Sequence, residues 1–196
     1  MSEKITNHAI AIAEIVLRPS DFTRLVEYHL DEWLGTRELE HEASRLCAVG
    51  FPEKQLASFI KRVCEWGNYP GIAGRVLKNN DPLMIRRQFT GATNALNSDI
   101  PDVQGALRRI KQIHSLGTSF ASKHLRFLRP DVCPVLDSII SKNLGYDEHG
   151  YKQFSDDCLR IAKTLQQHGV CNPMGRESGK WFAADVEMAL FTYLRK

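Results

Sequence analysis

The chain has 196 residues, with 26 Lys and Arg against 23 Asp and Glu, a net charge of +3 when its seven His are neutral, and 43% hydrophobic residues. That is enough apolar content for a packed core, with the charged fraction of an ordinary soluble protein. No apolar run approaches the roughly 20 residues needed to span a bilayer, and the opening Met-Ser-Glu-Lys is not a secretory signal. The expectation is a cytoplasmic protein with no membrane partner. The cysteines, Cys47, Cys64, Cys133, Cys158 and Cys171, are scattered and form no CxxC pair, which fits reduced thiols and buried small hydrophobes.

In chain order, residues 7–18 place apolar residues at helical spacing and stop before Pro19, which predicts a first helix. Ser20 or Asp21 can cap a second that stops at Gly35, and a third covers 37–48. Gly50-Phe51-Pro52 breaks the chain, and Pro52 suits the first turn of a helix reaching Glu65. Trp66-Gly67-Asn68-Tyr69-Pro70-Gly71 is an aromatic loop. A short helix to Leu77 follows, then another from Pro82 to near Ala95, and Ser98-Asp99-Ile100-Pro101 opens the helix that leads into the central stretch. Beyond that stretch, residues 152–167 read as a helix, 172–179 as a loop rich in breakers, and 180–195 as an amphipathic last helix carrying Trp181, Val186, Leu190 and Leu194. No alternating strand pattern stands out. The expected fold is all-α, about ten helices in one domain spanning the chain.

The central stretch is 113–144, IHSLGTSFASKHLRFLRPDVCPVLDSIISKNL. Leu116, Leu125 and Leu128 recur near helical spacing around a basic helix at 119–129. Gly117 stands where a tight turn needs a positive φ or a close backbone approach. Pro130 ends the helix, and Asp137 stands at the N-terminus of the next one. Residues 101–142 carry seven basic residues (Arg108, Arg109, Lys111, Lys123, Arg126, Arg129, Lys142) against Asp102, Asp131 and Asp137, a charge of +4 that leaves −1 for the rest of the chain. Positive charge gathered in this way is what phosphate binding requires.

The turn Ile113-His114-Ser115-Leu116-Gly117-Thr118-Ser119, followed by Pro134-Val135-Leu136-Asp137, resembles the helix-hairpin-helix and Pro/Asp signature of the base-excision DNA glycosylases. Ser119 and Asp137 are 18 residues apart, the spacing of the adenine glycosylase and endonuclease III branches. Ser119-Phe120-Ala121-Ser122-Lys123 with Phe127 and Pro130 is most similar to the bacterial 8-oxoguanine glycosylase-like group, which includes phage-defence enzymes. Trp66-Gly67 and Asp185-Val186-Glu187 add a weaker likeness. The chain departs from the family pattern at His114 and Ser115, where Pro and Gly are usual.

The resemblance implies two helical lobes with a cleft between them, a hairpin at 113–119 and a catalytic Asp loop at 130–137. It implies a monomer that binds double-stranded DNA, everts a base and cleaves its glycosidic bond with Asp137. Asp137 can serve at once as a helix cap and as the carboxylate that stabilises positive charge on the sugar. Bifunctional members carry a nucleophilic Lys where Ser119 stands, so Ser119 suggests a monofunctional, water-using enzyme. Lys123, one turn further along the same face, is a displaced nucleophile, a phosphate contact or a solvated side chain. Leu116, Gly117, Thr118, Ser119 and Arg126 are the DNA-binding candidates, the turn amides forming an anion nest. Trp66, Asn68, Tyr69, Trp181 and Phe182 are candidates for a base pocket or wedge, or else core; Trp33 reads as core. A structural monovalent cation can sit at the hairpin. No catalytic metal is expected, since the His show no HxxxH or HxH spacing. No iron–sulfur cluster is expected either, because Cys158 and Cys171 are too few. The substrate is 8-oxoguanine in a repair enzyme or a hypermodified base such as glucosylated hydroxymethylcytosine in a defence enzyme. A DNA-binding module without catalysis, or an all-α scaffold with a solvated basic face, are the rivals.

Overall fold

A computed structural model describes residues 9–195 of the chain. It begins with a small antiparallel hairpin, β1 (Ile10–Ile12) and β2 (Ile15–Leu17), in the register Ile10↔Leu17, Ala11↔Val16, Ile12↔Ile15. This corrects the helix expected at 7–18, of which residues 7 and 8 lie outside the described residues. The apolar residues there alternate: Ile10, Ile12 and Leu17 are buried while Ala11 and Val16 face out. Over so short a run, that period-2 pattern of β-branched residues also matches helical spacing.

The remaining elements among the described residues are helical. They are α1 (Pro19–Glu32), α2 (Thr36–Val49), α3 (Glu53–Trp66), α4 (Gly71–Asn79), α5 (Pro82–Leu96), α6 (Val103–Lys111), α7 (Thr118–Leu128), α8 (Ser138–Leu144), α9 (Tyr151–Gln167) and α10 (Ala183–Leu194), with a 3-10 turn at Glu177–Gly179. The all-α expectation therefore holds apart from the hairpin. Local chemistry sets the boundaries. Pro19 and Pro82 sit in first turns, Asp81 and Asp102 cap α5 and α6 through their side chains, and Gly50 and Gly145 close α2 and α8 in the left-handed region. No described helix is long and apolar enough to cross a membrane.

Two helices form the centre. Helix α7 is buried over all of 121–128, with α2, α3 and α6 packed against it. The basic amphipathic helix expected there is therefore a core helix, and its charges point inward. Helix α10 is buried over 183–190, with α1, α8 and α9 packed on it. The apolar side chains of the described helices join one continuous cluster.

Burying α7 needs compensation for Arg126, which is 0% exposed. Its Nη1 lies 2.9 Å from Glu40 Oε1. Glu40 also accepts from Arg176 Nη2 at 3.0 Å, and Arg176 donates to Asp185 Oδ1 at 2.7 Å. Asp185 in turn caps α10 by accepting from the Phe182 amide at 3.0 Å. This chain of charges ties α2, α7 and the 172–180 loop to the start of α10, and the opposite charges hold Glu40 ionised despite its burial.

Candidate functional site

Lys123 is the centre of the site. It is 8% exposed, on the face of α7 that meets the end of α3. Gly67 makes that meeting possible: a Cβ there would lie 2.9 Å from Phe120 Cε1 and 3.0 Å from Lys123 Cδ. The Lys123 ammonium donates to Ser119 Oγ at 2.9 Å, so the two positions weighed as alternatives for a nucleophile are bonded neighbours one helical turn apart. Burial pulls the Lys123 pKa below the ordinary lysine value, opposed by the negative charges of Asp137 and Glu187.

Asp137 comes from the loop before α8. Its Oδ1 accepts from the Ile139 and Ile140 amides, at 3.0 Å each, so the cap and a carboxylate facing the site coexist in one residue. Glu187 comes from the opposite side, on α10. It is 3% exposed, and burial, reinforced by Asp137, raises its pKa to about 8 despite the cations of Arg126 and Lys123 and a hydrogen bond from the Val135 backbone. Lys123, Asp137 and Glu187 line one cavity of about 80 Å³, walled by His29, Trp33, Trp66 and Phe191.

An aromatic wall closes this cavity. His29 stacks on Trp33 with centroids 4.7 Å apart and planes 14° apart, and Phe191 meets both rings edge-on. Trp66 is held by its indole N–H, which donates to Thr36 Oγ1 at 2.9 Å. His29 is buried, and neither ring nitrogen has a hydrogen-bond partner among the described residues. Its pKa falls to about 3 through burial, helped by Arg126 and Arg195. Outside the wall lies a larger hollow of about 570 Å³ that shares Trp33, Trp66 and Asn68 with the inner cavity and adds Glu32, Arg62, Glu65 and Arg195.

The structure sorts the remaining candidates. Asn68 lines both hollows, while Tyr69 is 62% exposed in the same loop. Trp181 is core: it is 4% exposed, and its indole N–H donates to the Val170 carbonyl at 2.8 Å. Phe182 lies under the Arg176 guanidinium at 4.4 Å, away from the residues that line the cavity. Both are corrected as base-pocket candidates. Arg126 is corrected as a DNA contact, because its guanidinium is enclosed by Glu40, Phe127 and Trp66. Leu116 is corrected as a DNA contact, because its amide donates to the Ile113 carbonyl at 3.0 Å instead of facing a phosphate.

The turn between α6 and α7 differs from its expected geometry. Gly117 is extended, with φ −71° and ψ 174°, and caps α7; Ser115 is the residue in the left-handed region, at φ +76°. Asn80 braces the turn, accepting from the His114 amide at 2.8 Å and donating to the His114 carbonyl at 3.1 Å. Thr118 at the start of α7 donates to Glu148 at 3.0 Å, and Glu148 is ion-paired with Lys111. Of the seven basic residues in 101–142, only Arg108, Arg109 and Lys142 are exposed; Arg129 is paired with Asp131 at 2.7 Å. The charge excess counted along the sequence is thus partly internal.

His29, Glu187 and Phe191 line the cavity without having been assigned from the sequence, and Trp33, read there as core, joins them. A His and a Trp four apart on one helix mark a shared face. Nothing in the sequence shows that this face meets Lys123. No family model, curated protein or solved structure matches this chain.

Proposed function

We propose that this chain is a DNA N-glycosylase that everts a damaged or modified base and breaks its glycosidic bond to leave an abasic site. The observation that supports it is the enclosure of Lys123 and Asp137 in one cavity under an aromatic wall. A lysine is costly to bury, and desolvation moves it toward the free amine that a nucleophile needs. In this reading the Lys123 amine attacks the sugar carbon that bears the base, and Asp137 stabilises the positive charge that develops there. The amine route takes the place of the water-using route suggested by Ser119, whose hydroxyl here orients Lys123. The amides that open α7 beside exposed Gly117 supply the phosphate contact, with Arg108, Arg109 and Lys142 as the available surface charge.

8-Oxoguanine-type repair is the first substrate reading. The outer hollow favours a second, a hypermodified base in a defence enzyme. At about 570 Å³ it falls in the range of roughly 300–1,000 Å³ that holds drug-sized ligands, and its charged walls suit polar substituents. The test is base release from plain duplex, duplex carrying 8-oxoguanine, and DNA carrying glucosylated hydroxymethylcytosine, with abasic sites cleaved by alkali and covalent adducts trapped by borohydride. Release and trapping should be lost in Lys123→Met, and release should be lost in Asp137→Asn with DNA binding kept. Binding without release on every substrate would instead indicate a non-catalytic DNA-binding module.

A further inference from the structure

Arg108 and Arg109 belong to a wider charged face. Residues 71–112, which make up α4, α5 and α6, hold seven basic residues against three acids. We propose that the exposed cations of these three helices form a strip, beside the turn that opens α7, that holds the phosphate backbone of duplex DNA without reading its sequence. The proposal rests on the glycosylase reading only in giving that enzyme's duplex a seat; its binding chemistry needs no base release.

Packing gathers the cations. Helices α5 and α6 lie against each other and are joined by residues 97–102, so the end of α6 runs beside the first half of α5. Arg109 fixes the match. A Cβ on Gly91 would lie 2.8 Å from its Nη1 and 3.2 Å from its Cδ, so the arginine side chain lies across α5 where glycine leaves room for it. Arg87 stands one turn nearer the start of α5, on the face of Gly91. Two exposed guanidiniums from two helices therefore occupy neighbouring places. Past Arg109 the chain enters the turn that Asn80 holds through the His114 amide and carbonyl. Asn80 ends α4, and the exposed Arg75 and Lys78 stand one turn apart just before it. The strip thus runs from Arg87 over Arg109 to Lys78, with the turn and exposed Gly117 at its edge.

The charges are free to meet a partner. Among the described residues, Arg75, Lys78, Arg87, Arg108 and Arg109 are in no ion pair, whereas Arg18, Arg62, Arg160, Arg176 and Arg195 each face a carboxylate. Arg86 donates to the Gly50 carbonyl at 3.0 Å and Lys111 is paired with Glu148, so neither is counted in the strip. The acids of the segment do not neutralise it. Asp81 and Asp102 cap α5 and α6, and Asp99 lies beside Asp102 at the other end of the helix pair. Unpaired cations set side by side repel one another, and a row of phosphates relieves that repulsion while releasing its own counterions. Duplex DNA carries one charge per about 1.7 Å of axis, so a strip of this kind meets phosphates in any register.

The test is binding of a plain labelled duplex between about 50 and 200 mM salt, the range over which phosphate contacts weaken steeply. The wild type is compared with Arg87→Gln/Arg109→Gln and with Arg24→Gln/Lys163→Gln, which removes the same charge from exposed residues of α1 and α9. The slope of log affinity against log salt should fall by about 2 in the first variant, near 0.9 for each lost contact, and stay at the wild-type value in the second. Lys78→Gln alone, on a different helix and clear of the Arg109–Gly91 contact, should lower the slope by about 1. The melting temperatures should stay together, since every changed side chain is exposed. Equal slopes in the strip variants and the charge-matched control overturn the proposal, as does a wild type without salt-dependent binding. If vesicles of phosphatidylserine and phosphatidylcholine bind the wild type more tightly than the duplex does, and bind the strip variants less, the face belongs to a membrane surface and the proposal fails. If base is released from a modified duplex while the strip variants keep the wild-type slope, the strip fails and the glycosylase reading stands. If no base is released from any substrate but the slopes fall as expected, the glycosylase reading fails and the strip stands.

Discussion

His29→Leu gives the most direct check on how the cavity is built. His29 is 2% exposed, with no hydrogen-bond partner for either ring nitrogen among the described residues. Folding lowers its pKa from 6.5 to about 3, first through burial and then through the positive charges of Arg126 and Arg195. Below 6.5 the unfolded chain therefore binds a proton that the folded chain refuses. The stability that goes with neutral His29 is complete above pH 6.5 and is lost as pH falls toward 3. Each pH unit in that window costs about 1.4 kcal/mol, so at about pH 5 the wild type has given up about 2 kcal/mol that the leucine variant keeps. At about pH 7.5 this difference vanishes. There the variant loses the stack on Trp33, worth about 0.5–1.5 kcal/mol, and sheds unsatisfied polar atoms that cost about 1–3 kcal/mol each, so it should be as stable as the wild type or slightly more so. Urea unfolding of both proteins at the two pH values measures the change, with Glu187 and the other shifted groups common to both. A wild-type-minus-variant difference that is the same at both pH values would refute the argument that His29 is enclosed and unpaired.

Other substitutions test other parts of the frame. Gly67→Ala places a Cβ against Phe120 and Lys123; overpacking of this kind costs about 1–3 kcal/mol, and it should lower the melting temperature and displace Lys123 enough to abolish borohydride trapping. Ser115→Gly removes a left-handed residue that is not glycine, φ +76°, and should stabilise by about 1 kcal/mol. Gly117→Ala, at an extended backbone with nothing within 4 Å of a new Cβ, should be neutral or stabilise by up to about 1 kcal/mol; a large loss there would return the strained turn position to Gly117. Arg126→Met breaks a buried pair with Glu40 and should cost about 3 kcal/mol by chemical denaturation, whereas an exposed phosphate ligand would cost little stability.

Much of the framework was legible from local chemistry. Pro19, Pro82, Gly50 and Gly145 mark helix ends because proline and glycine restrict or free the backbone wherever they stand. Asp137 was legible as a cap for the same reason, since its partners are the next amides in the chain. The short hairpin at 10–17 was not, because three alternating apolar positions fit two periods. The turn was half legible: its place was right, but the left-handed residue is Ser115, whose conformation depends on Asn80 reaching over from the end of α4.

Tertiary structure alone decided what the charges do. In a linear reading Lys123 is a displaced nucleophile, a phosphate contact or a solvated side chain, and Arg126 a DNA contact, because in most helices a charged residue marks the wet face. Here α2, α3 and α6 cover α7, and α1, α8 and α9 cover α10. Side chains that the helical period would send to water are instead met by Glu40, by Asp137 and by one another. Whether a charge is solvated or enclosed depends on which distant segments pack over it. The sequence determined the helices and the capping carboxylate, and the packing of α7 and α10 made one site of Lys123, Asp137 and Glu187.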